Sequence, residues 1–184
     1  MKPPLRSSDT IRTERLELVP LADSLELLVE GKRVEAEREL GVLLPRWWPD
    51  RHDLGFLAFR ARQLAAEPDD RDWMPWLVVL GDERVMIGHA GFHGRPGKNA
   101  RNDPDAVELG YMILVAQRGR GYATEVVDAL VKWAADVHGI RRFVASIGPE
   151  NAPSLALVRK LGFVDVGRHW DDQDGEELEF LLEL

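Results

Sequence analysis

Val115-Ala116-Gln117-Arg118-Gly119-Arg120-Gly121-Tyr122-Ala123-Thr124-Glu125 is the stretch whose reading decides this chain. Before it, residues 107–115 (Val-Glu-Leu-Gly-Tyr-Met-Ile-Leu-Val) form a long, largely apolar run that predicts a strand. After it, Val127, Leu130, Val131 and Ala134 recur at helical spacing and predict a helix over 124–137 with that face on a sheet. The chain thus leaves a strand and enters a helix through two glycines, with Ala123 small as well. A turn of this kind gathers free backbone N–H groups at the positive end of a helix, which is an anion site. Small residues let a pyrophosphate approach the backbone, and Arg118 and Arg120 add charge. A plain glycine-rich connection with solvated arginines fits the same residues. Two other phosphate motifs are excluded: the dinucleotide fingerprint needs glycine at Thr124, and Walker A needs Gly-Lys-Ser/Thr at its end.

Downstream, Arg142 to Ile147 reads as a strand, and Asn151 as the cap of a short helix with Pro153 in its first turn, where a missing N–H costs nothing. Gly162 suits the residue after that helix. Two last strands are predicted at 163–168 and 178–184, the latter with Leu178, Phe180, Leu182 and Leu184 on one face. Asp171-Asp172-Gln173-Asp174-Gly175-Glu176 joins them, with Asp-Gly as its turn signal. Upstream, residues 94–106 are a loop rich in Gly, Pro, Asn and Asp, preceded by a hairpin with arms at 76–80 and 85–94. A helix is expected after Asp53, carrying Leu54, Leu57, Ala61, Leu64 and Ala65, with Pro68 just beyond it. At the start, 16–19 alternates as a half-buried strand does and Pro20 ends it; Asp23 then suits an N-cap for Leu25, Leu28 and Val29. Residues 1–10 are expected to be a flexible start, and 11–184 a single domain. Strands first, then strand–helix–strand–helix–strand, describe an α/β or α+β sheet of mixed direction.

Composition narrows the function. The 184 residues carry 24 basic and 32 acidic side chains, for a net charge of −8, and 45% are hydrophobic. That is a globular composition, and an acidic chain without a basic stripe is a poor nucleic-acid binder. Cysteine is absent, which excludes disulfides, thiolate metal sites and a cysteine acyl-enzyme. No apolar run reaches the ~18 residues of a membrane span, and Met1 to Ser8 lack the apolar core of a secretory signal, so a cytoplasmic protein is expected. An acidic surface also suits a cationic substrate.

Arg118-Gly119-Arg120-Gly121-Tyr122-Ala123 matches the [QR]-x-x-G-x-[GA] signature of the GNAT N-acetyltransferase superfamily, and Asn151-Ala152-Pro153-Ser154 through Lys160-Leu161-Gly162-Phe163 resembles that family's next helix at the expected distance. Thr13-Glu14-Arg15-Leu16-Glu17-Leu18, Glu108-Leu109-Gly110-Tyr111 and Gly121-Tyr122-Ala123-Thr124-Glu125 are similar to the RimJ/RimL branch, which acetylates ribosomal-protein alanines. The likeness runs from about Ile11 to Leu184. It implies a central mixed, mostly antiparallel, twisted sheet of about seven strands, splayed between the fourth and fifth, with about four helices. It also implies acetyl-CoA as cosubstrate, no metal, and direct transfer of acetyl to a primary amine without a covalent enzyme intermediate.

Residue by residue, the resemblance places pantetheine on the strand edge at Ile113, Leu114 and Val115 and the pyrophosphate on Arg118, Gly119, Arg120, Gly121, Tyr122, Ala123 and Thr124. Asn151 faces the coenzyme arm as well as capping its helix. Glu108 falls where family members carry a glutamate base, and burial in an apolar strand suits a carboxylate to that task; Asp171 or Asp172 is its rival. The family's usual tyrosine acid would stand at position 158, which is Val158 here, so Ser154 is the substitute. Trp47 and Trp48, bracketed by Pro45 and Pro49, read either as core cover or as a lid over the acceptor pocket. His93 is a candidate to line that pocket. His89 and His93 do not suit a shared metal, being about 13 Å apart on a strand. An α-amine, with pKa about 8, needs less help from a base than a lysine amine at about 10.4. The acceptor is expected to be a primary amine, in the first reading a protein or peptide N-terminal α-amine, with a small amine (aminoglycoside, polyamine or amino acid) or a non-catalytic CoA-binding role as alternatives. A homodimer through an exposed last strand is open.

Overall fold

Short apolar stretches spaced along the chain build one eight-stranded sheet, seen in a computed structural model that describes residues 10–172 and 175–184. The strands are β1 (Ile11–Arg12), β2 (Leu16–Pro20), β3 (Trp76–Leu80), β4 (Val85–Phe92), β5 (Ala106–Ile113), β6 (Arg142–Ile147), β7 (Val164–Asp171) and β8 (Gly175–Glu183), in the spatial order β1-β2-β3-β4-β5-β6-β8-β7. Every neighbouring pair is antiparallel except β5 and β6. The expected sheet lacks only the two-residue β1, and its fourth and fifth strands are β5 and β6. The flexible start expected for residues 1–10 falls almost wholly outside the described residues, as does Asp174 of the expected Asp-Gly turn.

Among the described residues five α-helices cover the sheet: α1 (Leu25–Val29), α2 (Arg33–Leu40), α3 (Arg51–Ala66), α4 (Tyr122–His138) and α5 (Ala152–Lys160). Helix α4 supplies Val126, Val127, Leu130 and Trp133 to one face of the sheet, where they meet Phe92, Val107, Phe143 and Phe180. The other face of β2–β4 takes Leu25, Leu28, Leu57 and Trp48 against Val19, Leu77, Val79 and Met86. Along β5, Val107, Leu109, Tyr111 and Ile113 belong to the α4 side. Alternation therefore turns Glu108, Gly110 and Met112 to the opposite face.

Several local expectations are corrected. Asp23 caps nothing; it lies inside a 3₁₀ turn, Ala22–Ser24, and Val29 is exposed. Helix α3 starts three residues before the predicted one because Asp50 accepts from the His52 and Asp53 N–H groups while Asp53 accepts from Asp50 N–H, a reciprocal capping box. Helix α2 lies outside the sequence expectation: its eight residues are mostly charged, and only Ala36 and Leu40 are buried. The strand expected to end at Val115 ends at Ile113, followed by a 3₁₀ turn, Val115–Gln117. The last strand is not an edge: β8 lies between β6 and β7, and β7 borders the sheet. A dimer pairing through the final strand is thereby excluded. Leu184, expected on the buried face of that strand, lies beyond its end and is exposed.

Candidate active site

β5 and β6 run parallel and stay paired through Ala106↔Arg142, Val107↔Phe143 and Glu108↔Val144, where the register ends, while β5 continues against β4 to Ile113↔Gly88. The C-terminal half of β5 therefore has one open edge. Main-chain groups alternate sides along a strand. The Glu108 carbonyl accepts from His93 N–H on the β4 side, and Leu114 N–H donates to Ile87 on that same side. The N–H and C=O of Leu109, Tyr111 and Ile113 consequently face the gap. A cleft of about 610 Å³ opens there, bounded by the end of β5, the turn into α4 and one side of α5 from Pro153 to Lys160.

The glycine turn read from the sequence borders the cleft. Gly119 (φ +75°) and Gly121 (φ +81°) both sit in the left-handed region that side chains resist, and this folds the chain tightly into α4. The first bond of the helix runs from Glu125 N–H to the Gly121 carbonyl, so the N–H groups of Tyr122, Ala123 and Thr124 precede any helical acceptor. Of the residues assigned to the coenzyme, Ile113, Arg118, Gly119, Gly121, Tyr122, Ala123, Thr124 and Asn151 line the cleft. Leu114, Val115 and Arg120 do not: Leu114 N–H is engaged by β4, Val115 is strongly exposed, and Arg120 contributes its carbonyl to a brace. Arg118 does more than add charge, since its Nε donates to the Ile113 carbonyl (2.8 Å) on the open edge.

The turn is braced from the first hairpin. Arg15 donates through Nη1 to the Arg120 carbonyl (2.9 Å) and through Nε to Glu125 (2.8 Å), and its guanidinium lies 4.7 Å from the centre of the Tyr122 ring. Burial would raise the Glu125 carboxyl, but hydrogen bonds from the Thr13 hydroxyl and from the Arg15 N–H and guanidinium outweigh it and hold the group below the usual carboxylate range. Thr13 and Arg15 enter the sequence reading only through the family resemblance; their contact with Glu125 spans 110 residues or more and has no local signal.

Beside the open edge, Asn151 Oδ1 accepts from Ser154 N–H (3.3 Å), so Asn151 caps α5 and lines the cleft at once. Ser154 lines it too. Val158, where the family carries tyrosine, is fully buried in the core. A phenol nevertheless stands here from another element: Tyr111 of β5. Its hydroxyl is buried and has no hydrogen bond of ordinary geometry among the described residues, yet it faces Ser154; burial pushes the phenol up and the Ser154 hydroxyl works against that. Sequence reasoning missed Tyr111 as a site residue, although the run Glu108-Leu109-Gly110-Tyr111 carries part of the branch resemblance.

The opposite face of the splay is a row of polar side chains in an otherwise apolar sheet. Glu108 is 3% exposed. Its Oε1 accepts from the Ser146 hydroxyl (2.6 Å) and its Oε2 from Ala100 N–H (2.7 Å), and His93 Nδ1 lies 3.5 Å from Oε1. Across β6, Glu179 stands opposite Ser146, pairs with Arg101 (2.6 Å) and faces His169 Nδ1 (3.2 Å). Asp171 is set apart from Glu108: it ends β7, opposite Gly175, three strands from β5. The two tryptophans separate as well. Trp48 is 1% exposed and packs with Leu57 and Leu77, which makes it core and removes it from the acceptor pocket, whereas Trp47 is 58% exposed. Among the described residues no three His, Cys, Asp or Glu side chains form a metal cage, and no helix is long and apolar enough to cross a membrane.

Comparison with known proteins agrees with this geometry. The chain is 25% identical over 158 residues to the N-acetyltransferase YjdG of Bacillus subtilis, covering 84% of this chain and 89% of that one. Mycobacterium smegmatis RimJ in complex with CoA-disulfide superposes with a TM-score of 0.65 at 20% identity, over 96% of this chain and 88% of that one. The ribosomal-protein-S5-alanine acetyltransferase from Vibrio fischeri does so at 0.64 and 15% identity, over 95% and 96%. Residues 15–164 match the family model of the acetyltransferase (GNAT) domain, and with a splayed β5–β6 pair feeding a glycine turn, the chain belongs to the GNAT acetyltransferases.

Proposed function

We propose that the enzyme transfers acetyl from acetyl-CoA to the α-amine of a protein or peptide N-terminus. The observation that carries this reading is the open edge of β5 running straight into the Gly119–Gly121 cradle. Open main-chain groups at one end and free N–H groups at the other match an extended arm ending in a diphosphate. Acetyl-CoA supplies the acetyl group as a thioester. The outward-facing N–H groups of Tyr111 and Ile113 are hydrogen-bond donors suited to a carbonyl oxygen gaining negative charge. Ser154 and Tyr111 offer the hydroxyls closest to that edge, and they take over the place left by Val158 in hydrogen-bonding the departing sulfur. Orientation carries the rest: a neutral amine held against a thioester needs no covalent enzyme intermediate.

An N-terminal amine is favoured because it loses its proton near neutrality more readily than a lysine side chain does. The branch likeness at Glu108–Tyr111 and the structural neighbour named for ribosomal-protein-S5-alanine point the same way. Acidic side chains on the face behind the splay suit a cationic acceptor. A cytoplasmic site of action fits such a substrate.

The test is acetyl-CoA-dependent thiol release with Ala-, Ser- and Met-initiated peptides set against spermidine, kanamycin and free amino acids. Turnover confined to peptides, with the label on the α-amine by mass spectrometry, supports the reading. Turnover on the small amines alone moves the acceptor to that class.

A further inference from the structure

We infer that His93 is the catalytic base of the acetyl transfer and that Glu108, the glutamate of the strand, is its positioning residue; this rests on the reading above. Glu108 is poorly placed to meet an acceptor itself. It is buried, and one oxygen is taken by the Ala100 N–H and the other by the Ser146 hydroxyl. His93 Nδ1 stands 3.5 Å from Oε1, within ion-pair distance of the carboxylate. His93 itself reaches solvent, with 57% of its side chain exposed. Its other nitrogen, Nε2, lies over Gly110, where an added Cβ would come within 3.2 Å. Gly110 immediately precedes Tyr111, whose main chain faces the gap. A buried carboxylate behind one ring nitrogen and an open second nitrogen beside the splay are the parts of an oriented imidazole base.

The backbone that carries His93 is held from α3. Arg60, buried on α3, donates to the carbonyls of Phe92 (2.7 Å) and His93 (2.7 Å), and Gln63 also reaches the His93 carbonyl (3.3 Å). Glu108 of β5 faces the His93 ring, Arg60 of α3 holds the His93 carbonyl, and Asp70 with Lys98 adjoins through Gln63, while Ser146 of β6 ties Glu108 to the neighbouring strand. Burial lowers the Arg60 guanidinium to about 10, so it remains a cation at neutral pH. In the transfer, His93 Nε2 takes the proton of the attacking amine as the C–N bond forms, and Glu108 faces the resulting imidazolium. As the C–S bond breaks, the leaving thiolate takes a proton from the Tyr111–Ser154 hydroxyls, which solvent re-protonates, and His93 returns its proton to solvent, so the proton lost by the amine equals the one gained by the thiol. No oxidant or further reactant is needed.

The test uses the full chain with ¹⁵N-labelled histidine, reading the tautomer of neutral His93 from long-range ¹H–¹⁵N spectra, its signals assigned by their loss in His93→Gln. The expected result is hydrogen on Nδ1 and a bare Nε2, with that preference lost in Glu108→Gln. Should Glu108→Gln not fold, Ser146→Ala and Gly110→Ala replace it, the latter crowding Nε2. With an Ala-initiated peptide as probe, His93→Gln should lower kcat about 100-fold while calorimetry shows unchanged acetyl-CoA affinity. A neutral ring carrying hydrogen on Nε2 overturns the assignment, as does a His93→Gln variant within about twofold of the wild-type rate. Failure of the transferase reading looks different: no heat on adding acetyl-CoA to the unaltered protein.

Discussion

The two sides of the β5–β6 gap are built on different principles. On the α4 side the groups proposed to hold the coenzyme are main-chain: an open strand edge, two glycines at positive φ, and the first N–H groups of a helix. On the other side they are side chains from β5, β6, β8 and the loops after β4, brought together across the sheet. A main-chain site holds its shape as long as the turn folds, and it recognises what every acetyl-CoA presents. A side-chain site changes with each substitution, so one fold can keep its cosubstrate while its acceptor varies. Changing the cradle should therefore abolish coenzyme binding, and changing the opposite face should leave that binding intact.

The largest expected effect is at Gly121. Its φ is +81°, and a Cβ added there would stand 3.5 Å from Arg15 Nη2, so a β-branched residue is both strained and crowds the brace. Gly121→Val should weaken acetyl-CoA affinity on the order of 100-fold by calorimetry, from ~1–3 kcal/mol of backbone strain, with circular dichroism unchanged. Unchanged affinity would separate the cradle from the coenzyme. Arg60→Met tests the other side. It strips hydrogen bonds from the carbonyls of Trp73, Phe92 and His93, which should cost about 2–4 kcal/mol in urea unfolding. Acetyl-CoA affinity of the folded fraction should hold.

Ser154→Ala and Tyr111→Phe sharpen the comparison at the boundary of the two sites. Each should lower kcat roughly tenfold without changing acetyl-CoA affinity, and because the hydroxyls face each other the double variant should fall short of the product of the two. Strictly multiplicative losses would mean that they act apart.

The contrast also explains what the chain discloses before its structure. The cradle is eleven contiguous residues whose glycines and flanking periodicities are local, so it can be read directly. Asn151 is legible for the same reason: its cap and its cleft contact both lie within one helical turn. Tyr111 is hidden because strand alternation gives its face but not which hydroxyl it meets 43 positions later. Glu108 can be found as a residue; its partners Ser146, Ala100 and His93 depend on register between strands that no local pattern fixes. Helix α2 escapes because packing, not an apolar stripe, holds it.

The smallest effect concerns acid. Glu125 braces the cradle, and Asp70 braces the loop after β4 through Lys98 and Gln63 (2.7 Å each). Burial would raise both carboxyls, but these partners together with those of Glu125 leave each below its ordinary value in the folded chain. A folded-state pKa below the unfolded one means that the unfolded chain binds protons first. The stabilisation is therefore complete above the ordinary carboxyl range and drains away as pH falls through it toward the depressed folded values. Glu125→Gln should flatten that part of the profile and, through Arg15, weaken acetyl-CoA binding slightly. Asp70→Asn should flatten it without touching the coenzyme. Thermal unfolding followed from about pH 7 to about pH 3, with and without acetyl-CoA, reads both: if the two variants respond alike to the ligand, Glu125 is only a structural carboxylate and the cradle does not depend on its brace.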